Sequence, residues 1–106
     1  MIERRNFPRK RRRLIVEYVL DGRPFSGFTW DMSYTGLYIA GTATPRIGER
    51  MSASIHLPDG KKVSCEGKVV RSRKVPASLA LEFPNGFSVA LTGYFEDYCR
   101  FVGGLQ

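Results

Sequence analysis

Cysteine and histidine are scarce in this chain: Cys65, Cys99 and His56 are the only ones among 106 residues. The two cysteines stand 34 positions apart, which suits neither a disulfide framework nor a close-spaced metal site. They read as reduced, buried thiols of a cytoplasmic protein. His56 falls on the outward side of a strand, where a lone imidazole is solvated rather than a base or a ligand. Long apolar runs are missing too. Leu14–Leu20, which follows the basic start, is short and interrupted by Glu17, so it reads as neither signal peptide nor membrane span. The pair Arg4-Arg5 is no twin-arginine export signal for the same reason. Carboxylates are scattered. Glu96 and Asp97 are the one adjacent acidic pair, and neighbours on a helix point in different directions. No nucleophile motif, phosphate loop or metal spacing is present, so no enzyme, cofactor or metal is expected.

What is abundant is positive charge, and it is concentrated. The formal charge is +7. Residues 3–13 hold seven basic residues against one acidic, a net of +6, and residues 14–106 hold ten against nine. The length allows one domain with one core. We therefore divide the chain into a flexible basic arm, 1–13, and a nearly neutral body, 14–106. A protein gripping nucleic acid across a face would spread its basic residues over the fold.

The body reads as short strands separated by turns. Leu14–Leu20 is closed by Asp21-Gly22, a two-residue hairpin signal. Phe25–Ser33 and Leu37–Ala40 follow. In Met51–Leu57 alternate residues face inward: Met51, Ala53, Ile55 and Leu57. Lys62–Arg73 turns Val63, Cys65, Gly67 and Val69 inward, and Ser78–Phe83 reads as the sixth strand. Pro84-Asn85-Gly86 then ends the sheet. From Phe87 the apolar residues Leu91, Tyr94 or Phe95, Tyr98 and Val102 recur every three to four positions, which predicts an amphipathic helix stopped by Gly103-Gly104. The expected fold is a small all-β antiparallel barrel with a helix on or beside it.

Two stretches could carry binding chemistry. In Asp31-Met32-Ser33-Tyr34-Thr35-Gly36, Asp31 and Ser33 share a strand face opposite Trp30 and Met32. With Trp30 and Met32 in the core, Asp31 and Ser33 point outward. A carboxylate there can accept two N–H bonds, as from the N1 and N2 edge of a guanine. The same residues also suit a plain turn. In the arm, arginine outnumbers lysine six to one. Guanidinium forks onto guanine O6 and N7, pairs bidentately with phosphate and stacks on bases. A solvated basic tail would look similar.

Together the two stretches resemble the motifs of the PilZ domain family, bacterial receptors for cyclic di-GMP. Arg5-Asn6-Phe7-Pro8-Arg9 matches an Arg-x-x-x-Arg motif, and Asp31 to Gly36 matches an Asp/Asn-x-Ser-x-x-Gly motif. The resemblance covers nearly the whole chain. It implies a six-stranded antiparallel β-barrel of split-barrel type with a C-terminal helix. It also implies that Arg5 and Arg9 grip guanine edges and phosphates. Asp31 and Ser33 would hold a guanine's Watson–Crick side, and Gly36 would admit the ligand to the barrel. Arg4, just before the first motif arginine, would favour two intercalated cyclic di-GMP molecules per chain. The implied mechanism is a ligand-induced switch: the arm closes over the barrel and the changed surface signals to a protein partner. Lys10 to Arg13 are left as unassigned charge. Two other readings stand beside it: a basic barrel binding RNA or single-stranded DNA, and a PilZ-like domain acting only through protein partners. The neutral body argues against nucleic acid.

Overall fold

A computed structural model describes residues 10–74 and 84–104. Among these, seven strands precede one helix: β1 (Lys10–Arg11), β2 (Ile15–Leu20), β3 (Arg23–Ser33), β4 (Gly36–Ala40), β5 (Arg50–His56), β6 (Lys62–Arg73), β7 (Gly86–Leu91) and α1 (Glu96–Gly103). The strands pair in the order β1-β3-β2-β5-β6-β7-β4, and an additional β3–β4 pairing closes the ring. The six longer strands thus form a closed antiparallel barrel, which leaves no barrel edge unpaired. The short β1 continues the line of β2 along the same edge of β3.

The hairpin predicted at Asp21-Gly22 is present. Both residues have positive φ, 50° and 75°, the twist that joins two antiparallel strands through a two-residue loop. The predicted inward sets of β5 and β6 also hold. Met51, Ala53, Ile55, Val63, Cys65 and Val69 are all buried, and Leu57 packs partly against them. Tyr18 stacks on Phe25 at 5.6 Å and meets Phe87 edge-on at 5.3 Å, filling the barrel between β2 and β7.

The helix predicted from Phe87 is corrected. Gly86–Leu91 is the last barrel strand, and only Glu96–Gly103 is helical. Pro84-Asn85-Gly86 therefore leads into a strand rather than ending the sheet. Phe87, Val89 and Leu91 satisfy a period of two as well as Phe87, Leu91 and Phe95 satisfy a helical one. The decision falls to β4 and β6, whose facing edges both require a partner, and β7 pairs with each. Phe87 and Val89 are buried as a result. The strand expected over Ser78–Phe83 lies outside the described residues. In α1, Tyr98 and Val102 face the core, and Arg100 pairs with Glu96 one turn earlier at 2.6 Å.

Burial sets the chemistry of Cys65. Removal from water pushes its thiol up to about 12. At pH 8 its thiolate population is about one in ten thousand, so a disulfide reagent should label no more than Cys99 in the native chain and both thiols in denaturant. The pH dependence has a definite sign. An unfolded thiol ionises above about pH 8.5 while the folded one stays protonated. Stability should therefore decline with rising pH over that window, and a Cys65→Ser comparison of denaturation at pH 7 and pH 10 checks it.

Candidate functional site

The basic run enters the barrel beside the second motif. Lys10 lies opposite Met32 and Arg11 opposite Asp31. The Arg12 N–H donates to the Trp30 carbonyl at 3.2 Å. Thr29, fully buried, completes the attachment: its hydroxyl donates to the Arg12 carbonyl at 2.6 Å and accepts from the Leu14 N–H at 2.9 Å. Two guanidinium groups lie over aromatic rings on the outer face of β3, Arg11 over Trp30 at 4.5 Å and Arg13 over Phe28 at 4.2 Å. Each contact contributes about 0.5–1 kcal/mol at an exposed site. The sequence left Lys10 to Arg13 without a place. The structure holds these residues along β3, and the aromatic partners could have been found as the alternate residues Phe28 and Trp30.

The expected burial of Trp30 is corrected. Met32 is buried as predicted, but Trp30 is only half-buried and Thr29 takes the inward place. The pairing of β3 with β4 shifts register between Thr29 and Asp31, a bulge that reverses which residues face in. Before it Thr29 points inward and Phe28 outward. After it Met32 points inward, and Asp31 and Ser33 share the outward face. Ser33 is nonetheless 1% exposed. Its hydroxyl lies 3.3 Å from the Gly36 carbonyl and 3.4 Å from the Thr35 N–H, closing the β3–β4 turn on itself. Tyr98 from α1 locks the same turn. Its hydroxyl shares one proton between the Ser33 carbonyl at 2.8 Å and the Gly36 carbonyl at 3.1 Å. Gly36 is required by the sheet: a Cβ there would stand 2.4 Å from the Val89 carbonyl oxygen of β7.

Asp31 is half-buried, with Arg11 on one side and Tyr38 on the other. The Tyr38 hydroxyl donates to the Pro84 carbonyl at 2.8 Å. Burial, joined by the Asp31 charge, raises the Tyr38 phenol above its ordinary range, and Arg73 acts in the opposite direction. Asp31 and Arg73 thus both act electrostatically on one tyrosine, although 42 positions separate them in sequence. Sequence reading missed Arg73, because only strand register brings it here. Arg4, Arg5 and Arg9 lie outside the described residues. His56 is partnered: Glu17 lies 2.8 Å from its Nε2, and that hydrogen bond holds the Glu17 carboxyl below its usual range.

Among the described residues no cluster of His, Cys, Asp and Glu could hold a metal ion. No helix there is long and apolar enough to cross a membrane.

The architecture is a closed antiparallel barrel that receives an arginine-rich segment beside an outward aspartate. The sequence profile of the PilZ domain matches residues 3–100, and the chain belongs to the PilZ domain family. Two solved structures share the fold. The Bacillus subtilis inhibitor of motility MotI/DgrA superposes with a TM-score of 0.77 at 17% identity, over 95% of this chain and 48% of that one. The present chain therefore spans about half of that protein. The PilZ domain of YcgR from Escherichia coli, solved with c-di-GMP, superposes with a TM-score of 0.68 at 14% identity, over 95% of this chain and 87% of that one. None of the curated protein sequences compared with the chain matches it significantly.

Proposed function

We propose that this chain is a cyclic di-GMP receptor and adaptor without catalytic activity. The observation that carries the reading is the register of β1. Lys10 lies opposite Met32, so one peptide bond separates Arg9 from a residue paired within the Asp31–Ser33 stretch. The pairing of Lys10, which directly follows the Arg5-to-Arg9 motif in the chain, supports a shared site, although 22 positions separate Arg9 from Asp31 in sequence.

In this reading Arg5 and Arg9 fork onto guanine edges and phosphates. Asp31 accepts from the N1–H and N2–H of a guanine. Ser33 and Gly36 contribute chiefly by fixing the turn that presents Asp31, since the serine is buried and the space beside the glycine is taken by β7. Arg4 favours a second, intercalated ligand. The arm closes over the ligand at about 1–2 kcal/mol of backbone ordering per residue, which several charge-assisted bonds offset. The closed arm changes the surface offered to a protein partner. The YcgR domain solved with c-di-GMP supports the ligand class by fold likeness.

Calorimetric titration of the full chain tests this. Saturable binding of cyclic di-GMP at micromolar affinity or tighter, about −8 kcal/mol, is expected. Single-stranded RNA should not displace it. Affinity no better than millimolar would sink the proposal, and the fitted stoichiometry decides between one and two ligands.

A further inference from the structure

The outer face beyond Asp31 ends in two arginines that neither motif contains. Directly paired residues in a sheet present their side chains on the same face. Following the pairs from β1 gives one row across five strands: Arg11, Asp31, Tyr38, Ser88 and Arg71. Arg73 follows on the same face of β6, opposite Gly86. A Cβ on Gly86 would stand 2.8 Å from Cε1 of Tyr38, so the tyrosine ring lies across the glycine toward Arg73.

Two irregularities create this row. In β3 the register shifts between Thr29 and Asp31, and in β6 it shifts between Val69 and Arg71. Val69 is buried and faces inward, so strict alternation would also turn Arg71 and Arg73 inward. The extra residue, Val70, reverses the phase, and both arginines come to the outer face. The bulge in β3 does the same for Asp31. Each bulge sits on a strand flanking the β4–β7 pair, and each re-aims a charged side chain to the same side. Bulges recur where a sheet aims side chains at a site.

We infer that Arg71 and Arg73 form the far wall of the ligand site, pairing with the phosphodiester groups of a cyclic dinucleotide whose guanine is held at Asp31. This deepens the receptor reading and rests on it. The strands of Asp31 and Arg71 are three spacings apart, about 14 Å. A macrocycle seated at Asp31 extends across Tyr38 and Ser88 toward β6, and arginine side chains reach inward to meet it. Guanidinium suits the task because it pairs with phosphate through two parallel N–H bonds. The body outside the basic run is nearly neutral, so two arginines on one short row are a concentration of its charge.

The test is titration of cyclic di-GMP into the wild-type chain, Arg71→Ala, Arg73→Ala, the double variant and Arg50→Ala, with thermal melts to confirm folding. Arg50 lies on β5, outside the row, and removes the same charge. Roughly ten-fold weakening is expected for each row arginine, more for the double variant, and less than two-fold for Arg50→Ala. Arg71→Lys should recover only part of the loss, because an ammonium cannot fork. Row variants that titrate like Arg50→Ala overturn this inference and leave the receptor reading intact. A wild-type chain that does not bind overturns both.

Discussion

Replacing Arg9 by alanine is expected to weaken cyclic di-GMP binding by roughly 30- to 1,000-fold, read by calorimetry. A hydrogen bond to a charged group contributes about 1.5–3 kcal/mol, and a bidentate arginine makes two. The two bonds of one fork are not additive, so removing it forfeits about 2–4 kcal/mol, which gives that range. The informative control is Arg12→Ala. It removes the same charge from the same basic run. The attachment of Arg12 to the barrel is through its backbone, to the Trp30 carbonyl and the Thr29 hydroxyl, and survives the substitution. If the run acts as a diffuse polycation, both variants lose equally and only modestly, and salt abolishes the loss. If particular arginines meet a particular ligand, Arg9→Ala loses far more. Equal losses would return the run to general electrostatics.

Gly36→Ala is expected to destabilise the fold by about 3 kcal/mol, the upper part of the range for overpacking. The added methyl would stand 2.4 Å from the Val89 carbonyl oxygen. Gly36 is paired with Ala90 in the β4–β7 ladder, so relief requires moving one hydrogen-bonded strand against another. In a domain of this size that lowers the melting temperature by about 10–20 °C. The result also decides what the motif glycine does. If the sheet requires it, loss of ligand binding follows loss of folded protein and returns on cooling. A variant of wild-type stability that no longer binds would instead show that the glycine admits ligand.

Much of the barrel was legible because burial follows a period of two wherever a strand is regular. Met51 to Leu57 and Val63 to Val69 alternate strictly, and both faces fell as expected. Asp21-Gly22 announced its hairpin through residues that accept positive φ. The errors fall where regularity breaks. Strict alternation puts Trp30 in the core, the bulge turns it out, and nothing local marks a bulge at Trp30. The apolar spacing from Phe87 to Leu91 fits a helix as well as a strand, and the choice belongs to the partners β4 and β6.

By itself the sequence determined the strands that alternate, the hairpin turn, the confinement of charge to residues 3–13 and the two motifs of the family. Local conformational preference and covalent order are enough for those. Only the tertiary structure decided the last strand, the inward place of Thr29, the burial of Ser33 and the meeting of Asp31, Tyr38 and Arg73 on one face. These depend on strand register and on two bulges. Such features are settled by backbone pairing between segments far apart in the chain, and a one-residue shift there exchanges the inside of the barrel for its surface.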